Sequence, residues 1–288
     1  MKFVNFKVAD QIRLGIKTEK GIIDVNGAAA ANSLEVPTTI EQVIAEGEKA
    51  FLQLAELAEK EVSYIPENEI EYAPCITQPE KIVCVGLNYA EHADESNMSI
   101  PALPVLFSKF NNALAAHNQT IPLPKVAEKF DYEAELVLVI GKEAKNVSKE
   151  EALSYVFGYA VGNDLSARDL QFLDGGQWLL GKSLDNFAPI GPELVTADEI
   201  DISNLAIQCR VNGEVRQSSN TRHMIFDCAT IVSYVSKHVT LKPGDIIFTG
   251  TPDGVILGYP EEKQNWLKPG DRVEVTIENL GSLVNVLE

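Results

Sequence analysis

A β-rich α+β fold with mixed, mostly antiparallel sheets is what this 288-residue sequence predicts. Three observations carry it. From Lys81 onward the chain is a succession of short β runs bounded by Gly, Pro and Asn. The helical stretches among them are too few to act as the crossovers of a doubly wound sheet. Residues 61–80 hold Pro66, Pro74 and Pro79 without a helical period, separating that region from a leading segment of different pattern. The expected organisation is a small N-terminal α/β domain, 1–72, and a larger β-rich one, 73–288.

The leading segment reads as three short strands, Lys2–Val8, Ile12–Lys17 and Ile22–Val25, followed by a loop of small and polar residues over 26–36. Thr39 with Gln42 three residues on is a capping box, and Pro37 stands just before it. Ile40, Val43, Ile44, Phe51, Leu54 and Ala58 then fall on one helical stripe, predicting a single helix to Ala58. Beyond the linker the expected strands are Ile82–Val85, Val105–Ser108, Glu133–Ile140, Tyr155–Val161, Ala206–Val211, Asp245–Thr249, Arg272–Ile277 and Ser282–Val286. Helices are expected at Lys149–Tyr155, near Ser166, and at Met224–Lys237.

The charge balance excludes several partners. With 24 Lys and Arg against 42 Asp and Glu the net charge is −18, a field that repels nucleic-acid backbones and anionic lipid. An anionic substrate therefore needs a cation inside its site. The four cysteines form no CxxC pair, which argues against a disulfide framework or a structural zinc knot. Neither a signal-peptide pattern nor an apolar run of membrane-spanning length occurs, so a soluble cytoplasmic protein is expected.

The sharpest chemical signal is Asp131-Tyr132-Glu133-Ala134-Glu135, leading into Leu136–Gly141. Alternate strand residues share a face, which sets Glu133 and Glu135 side by side, about 6.6–6.8 Å apart along the chain. The residues that follow are apolar on both faces, as in a buried strand. Two carboxylates at the mouth of such a strand call for a cation between them, unless the strand lies at an edge and both are solvated. Asp164 follows a second buried run, where it serves either as a helix N-cap or as the third hard oxygen ligand of an Mg²⁺ or Mn²⁺ site. Arg168 and Gln171 lie one and two turns further on, and Arg168 has the geometry to grip a substrate carboxylate. His92 and Glu95 are spaced as a helical pair, which on its own fits a solvated ion pair as well as a catalytic dyad. Lys182 emerges from the apolar Trp178-Leu179-Leu180, and a buried lysine needs carboxylate partners. No nucleotide-binding glycine loop and no serine-hydrolase elbow is present.

Taken in order, Val85-Gly86-Leu87-Asn88-Tyr89-Ala90-Glu91-His92, Tyr132-Glu133-Ala134-Glu135-Leu136, Gly162-Asn163-Asp164 with Ser166-Ala167-Arg168-Asp169, Gly181-Lys182-Ser183, Val211-Asn212-Gly213-Glu214 and Thr249-Gly250-Thr251-Pro252-Asp253-Gly254 resemble the fumarylacetoacetate hydrolase family over roughly residues 80–288. The resemblance implies a β-sandwich roll, usually dimeric. It implies Glu133, Glu135 and Asp164 as metal ligands, Lys182 as the active-site lysine, and Arg168, Gln171 and Thr251 as substrate contacts. His92 and Glu95 match the dyad that acylpyruvase-like members carry on a lid. One position departs: the metazoan tyrosine-catabolism hydrolases have an additional Asp ligand where Val85 stands here.

The expected chemistry is divalent-metal-dependent hydrolysis of a C–C bond in a 2,4-dioxo acid of acylpyruvate or fumarylacetoacetate type, by way of an enolate. The same electron sink serves an oxaloacetate decarboxylase, or an isomerase acting on a 5-carboxymethyl-2-hydroxymuconate or hydroxyhepta-diene-dioate. A metal-binding protein without turnover is the reading from another class; a base such as His92 opposite the metal speaks against it.

Overall fold

The computed structural model describes residues 1–95 and 98–288. Its main sheet runs in the order Gly21–Asp24, Gln11–Thr18, Lys2–Val8, Ala188–Thr196, Val156–Asn163, Ala134–Ile140, Ile246–Phe248, Ile82–Gly86, Val105–Lys109. A second sheet is ordered Glu214–Asn220, Ala206–Val211, Arg272–Ile277, Gly281–Leu287, Thr120–Ile121. Both are mixed: Ile246–Phe248 pairs parallel with Ile82–Gly86, and Gly281–Leu287 parallel with Thr120–Ile121, while most other pairs are antiparallel. The expected β-rich α+β class with mixed sheets is what forms.

The Ala134–Ile140 strand is buried along its whole length, and alternation divides it between two cores. Leu136, Leu138 and Ile140 pack with Ile207, Cys209, Val273 and Val275 of the second sheet, filling a sandwich. Val137 and Val139 face the opposite side, with Phe248, Leu14, Val43, Leu54 and Leu57. The N-terminal helices close that side, where Phe51 stacks on Phe157 at 5.6 Å. The leading segment is continuous with the main sheet, since Lys2 and Phe3 pair with Val195 and Leu194.

Several elements differ from expectation, each for a local reason. The 26–36 loop contains a helix, Val25–Asn32, built on Ala28–Ala31, the strongest helix formers. The single helix to Ala58 is two, Ile40–Glu46 and Glu48–Ala58, because Gly47 takes φ 58° and ψ −126° and turns the chain between them. The Thr39 cap is present, its hydroxyl accepting from Gln42 N at 3.2 Å, and Gln42 reaches back to Thr38 N at 2.9 Å. Lys149–Tyr155 reduces to a 3₁₀ turn, Ala152–Tyr155. Ser166–Ala167 pairs with Phe130–Asp131, so the helix expected near Ser166 begins at Arg168. The last helix starts at Cys228 instead of Met224, where Asp227 accepts from Thr230 N at 2.8 Å. Ala188–Thr196 is a strand outside the expected set; it holds Pro189, Gly191 and Pro192, which the ladder tolerates through an irregular register opposite Tyr159 and Val161. Glu71–Ala73 and Glu214–Asn220 are further strands that local pattern left unmarked.

Candidate active site

One cavity is lined by His92, Glu133, Glu135, Arg168, Gln171, Lys182 and Thr251, together with apolar side chains. Its charged floor forms where two central strands end side by side: Ala134 pairs with Asn163, which brings Glu135 of one strand and Glu133 just before it next to Asp164, just past the end of the other. Asn163 Oδ1 accepts from Glu133 N at 3.0 Å, and Asp164 N donates to Glu133 O at 2.9 Å. The side chains of Glu133, Glu135 and Asp164 then converge, each offering an oxygen within 4.8 Å of the others. All three are buried.

Their environments are unequal. Glu133 receives Lys182 Nζ at 2.7 Å and Arg168 Nη2 at 2.7 Å. Burial alone would raise its pKa, but these two cations outweigh it and hold the carboxyl well below the usual range. Asp164 accepts from Lys182 at 3.0 Å on one oxygen, and its other oxygen lies 2.5 Å from Lys109 Nζ as an ion pair. Glu135 accepts Gly250 N at 2.6 Å and has no cationic side chain within ion-pair distance among the described residues. Burial, then the nearby Asp164 and Glu133 carboxylates, push its pKa well above the ordinary carboxylate range. A buried carboxylate with two like neighbours and no counter-charge of its own is what a divalent cation with oxygen ligands would satisfy, so the residues present fit such an ion.

Lys182 ends the short Trp178–Lys182 helix and is buried. Burial would lower its pKa; Asp164 and Glu133 raise it further than that, and it stays charged. Arg168 is not free to grip a ligand with its whole fork. Its Nε donates to Asp131 at 2.9 Å, Nη1 to Gln171 Oε1 at 2.9 Å and Nη2 to Glu133 at 2.7 Å. Thr251 Oγ1 accepts from Gln217 Nε2 at 2.8 Å.

His92 and Glu95 lie on the Ala90–Glu95 helix. His92 Nδ1 is 2.8 Å from Glu95 Oε1, which leaves Nε2 as the ring nitrogen without a partner among the described residues. The other Glu95 oxygen accepts Gly254 N at 2.9 Å, and the carboxylate lies against Gly258, where a Cβ would meet it at 2.4 Å. The dyad is thus docked on the 254–258 loop.

Three groups that sequence reasoning did not single out complete the centre. Lys109 is buried, donating to the carbonyls of Leu165 at 3.0 Å, Phe187 at 2.7 Å and Lys182 as well as pairing with Asp164. Its signal was slight: a lysine one residue past an expected strand end, on the face of Phe107. Asp131 is fully buried and takes four donors: Tyr132 N at 2.9 Å, Ile256 N at 2.8 Å, Leu257 N at 3.1 Å and Arg168 Nε. Gln217 Oε1 accepts from Ala134 N at 2.9 Å.

The pattern of the fumarylacetoacetate hydrolase C-terminal domain matches residues 81–288. The chain belongs to the fumarylacetoacetate hydrolase family. A mitochondrial oxaloacetate tautomerase of Rattus norvegicus is 42% identical over 266 residues, covering 92% of this chain and 83% of the relative. Among solved structures of the family, a fumarylacetoacetate hydrolase from psychrophilic Exiguobacterium antarcticum superposes with a TM-score of 0.86 at 33% identity, covering 100% of this chain and 99% of that one. Fumarylpyruvate hydrolase from Pseudomonas aeruginosa, in complex with Mn²⁺ and pyruvate, superposes at 0.67 with 36% identity over 73% of this chain and 90% of its own. This family member is therefore an enzyme by descent. No helix among its described residues is long and apolar enough to cross a membrane.

Proposed function

We propose that this enzyme interconverts the keto and enol forms of a short 2-oxo diacid of the oxaloacetate type, with decarboxylation of the same substrate as a related outcome at the same site. The observation that carries the reading is that His92, held by Glu95, lines one cavity together with Glu133 and Glu135 of the carboxylate cluster. A base opposite a charged floor is what moving a proton next to a carbonyl requires. The similarity to oxaloacetate tautomerases supports that outcome over C–C hydrolysis.

Glu133, Glu135 and Asp164 would hold Mg²⁺ or Mn²⁺, which when bound supplies a Lewis acid for the oxygens of the 2-oxo acid. Glu95 fixes the His92 ring through Nδ1, so Nε2 takes a proton from the carbon beside the oxo group and returns it to the enol oxygen, or the reverse. Lys182 uses two of its three N–H bonds on Glu133 and Asp164, leaving one for the oxygen on which negative charge develops. Arg168 acts by holding Glu133 ionised and Gln171 in place. Thr251 and Gln171 line the cavity as substrate contacts, and the partner is the small 2-oxo acid itself.

Hydrolysis of a 2,4-dioxo acid is the second reading, favoured by the similarity to fumarylpyruvate hydrolase. In it His92 takes its proton from a water. Product analysis separates the two. Oxaloacetate, an acylpyruvate and fumarylacetoacetate would each be supplied with Mg²⁺, with Mn²⁺ and with EDTA, using wild type and Glu135→Ala. Accelerated enol loss or CO₂ release from oxaloacetate, absent with EDTA and in the variant, is expected. Pyruvate plus a carboxylic acid from the dioxo acids, with oxaloacetate untouched, would transfer the case to hydrolysis.

A further inference from the structure

The cavity is two-sided in its chemistry, and the far side speaks to the substrate. Arg168 and Lys182 are the only Lys or Arg among the described residues that line it, and both are engaged by the carboxylates of the floor. Of the rest of the lining, His92, Gln171 and Thr251 are polar, while the apolar side includes Leu87, Phe107, Phe172, Trp178 and Leu257. Phe107 and Trp178 meet edge to face at 5.3 Å, and the Phe107 ring centroid is 5.2 Å from Lys182 Nζ, so the aromatic wall begins directly beside the charged floor. An anionic head belongs at the floor. A second carboxylate one methylene away from the oxo carbon, as in oxaloacetate, stays within the field of Arg168 and Lys182. A carboxylate several carbons further out lies against the aromatic wall, where no Lys or Arg of the lining is free to pair with it.

We infer that Phe107, Phe172 and Trp178 make the site selective for 2-oxo acids whose far end is uncharged or very short, and against longer diacids. The inference rests on the functional reading above, in that the head group is taken to be a 2-oxo acid. Calorimetric binding of a matched pair, 2-oxohexanoate and 2-oxoadipate, to the Mg²⁺-loaded enzyme tests it, because the two share length and head and differ only in the distal carboxylate. Wild type should bind 2-oxohexanoate about ten-fold or more tightly than 2-oxoadipate, the scale expected for one unpaired charge against an apolar surface. Trp178→Arg, or Phe172→Arg at a position already 45% exposed, should narrow or invert that ratio. Equal or tighter binding of 2-oxoadipate by wild type, or a ratio that neither arginine variant moves, would overturn the inference and leave the functional reading standing. Binding of neither acid would contradict the functional reading itself, and the inference with it.

Discussion

Lys109 never reaches the cavity, yet it fixes Lys182, which does, and Asp164 behind it. It pairs with Asp164 and donates to the Lys182 carbonyl, so the placement of one proposed ligand and of the active-site lysine runs through a single buried ammonium. Burial lowers its pKa and Lys182 adds to that, while Asp164 opposes both. Replacing it by Met removes the charge but keeps the stem. Asp164 then keeps one cation instead of two, and the carbonyls of Leu165, Lys182 and Phe187 lose their donor. Lys109→Met should lower stability by about 3–5 kcal/mol, the scale for breaking a buried ion pair, read from the urea midpoint. An unchanged midpoint would show that Asp164 needs only Lys182. At this scale the sequence is most informative where chemistry is compact: it points to Glu133, Glu135, Asp164 and Lys182, and the structure gathers them around one floor. Lys109 and Asp131 carry no such signal, because their partners lie far away in the chain, such as the backbone of Leu165 and Ile256, which no local spacing displays.

The 254–258 loop is the element that receives the dyad, and Asp131 is what holds the loop. One Asp131 carboxylate accepts from Ile256 N and Leu257 N while also anchoring Arg168 Nε. In Asp131→Asn the amide nitrogen must face one of those donors, donor against donor. That variant should exchange the amide hydrogens of 254–258 faster and lose about 10²-fold in turnover, the scale of a small misplacement of catalytic groups. Unaltered exchange together with full activity would mean that the loop is held by other contacts. Elements themselves were readable in proportion to how local their causes are. The Thr39 cap and the doubly buried Ala134–Ile140 strand follow from adjacent residues. Ala188–Thr196 does not, since its prolines are acceptable only because the neighbouring strand leaves its register irregular there.

For the whole molecule, the leading strands extend the main sheet while the second sheet packs across it, and His117 sits where these parts meet. His117 Nδ1 accepts from Val284 N at 3.1 Å, and the ring meets the Tyr72 ring edge-on at 4.9 Å. Burial lowers its pKa from 6.5 to about 4; Glu67 and Glu274 oppose this, and Lys17 and Arg272 assist. A folded value below the unfolded one means that the unfolded chain binds the proton more readily. The contribution is therefore complete above about pH 6.5 and lost as pH falls toward 4. His117→Asn keeps an acceptor for Val284 without a titrating group, so its urea midpoint should fall less than that of wild type between these pH values; parallel curves would assign the acid sensitivity elsewhere. Membership of the fumarylacetoacetate hydrolase family was legible from motif order alone. The bond made or broken was not, because hydrolysis, decarboxylation and tautomerisation of 2-oxo acids all develop the same enolate charge. That question is settled most directly by proton exchange: oxaloacetate in D₂O with Mg²⁺, following deuterium entry at the carbon beside the oxo group. Exchange accelerated by wild type, and reduced about 10²–10⁴-fold in His92→Asn, is the predicted result. Exchange no faster than without enzyme, or undiminished in His92→Asn, would contradict the account.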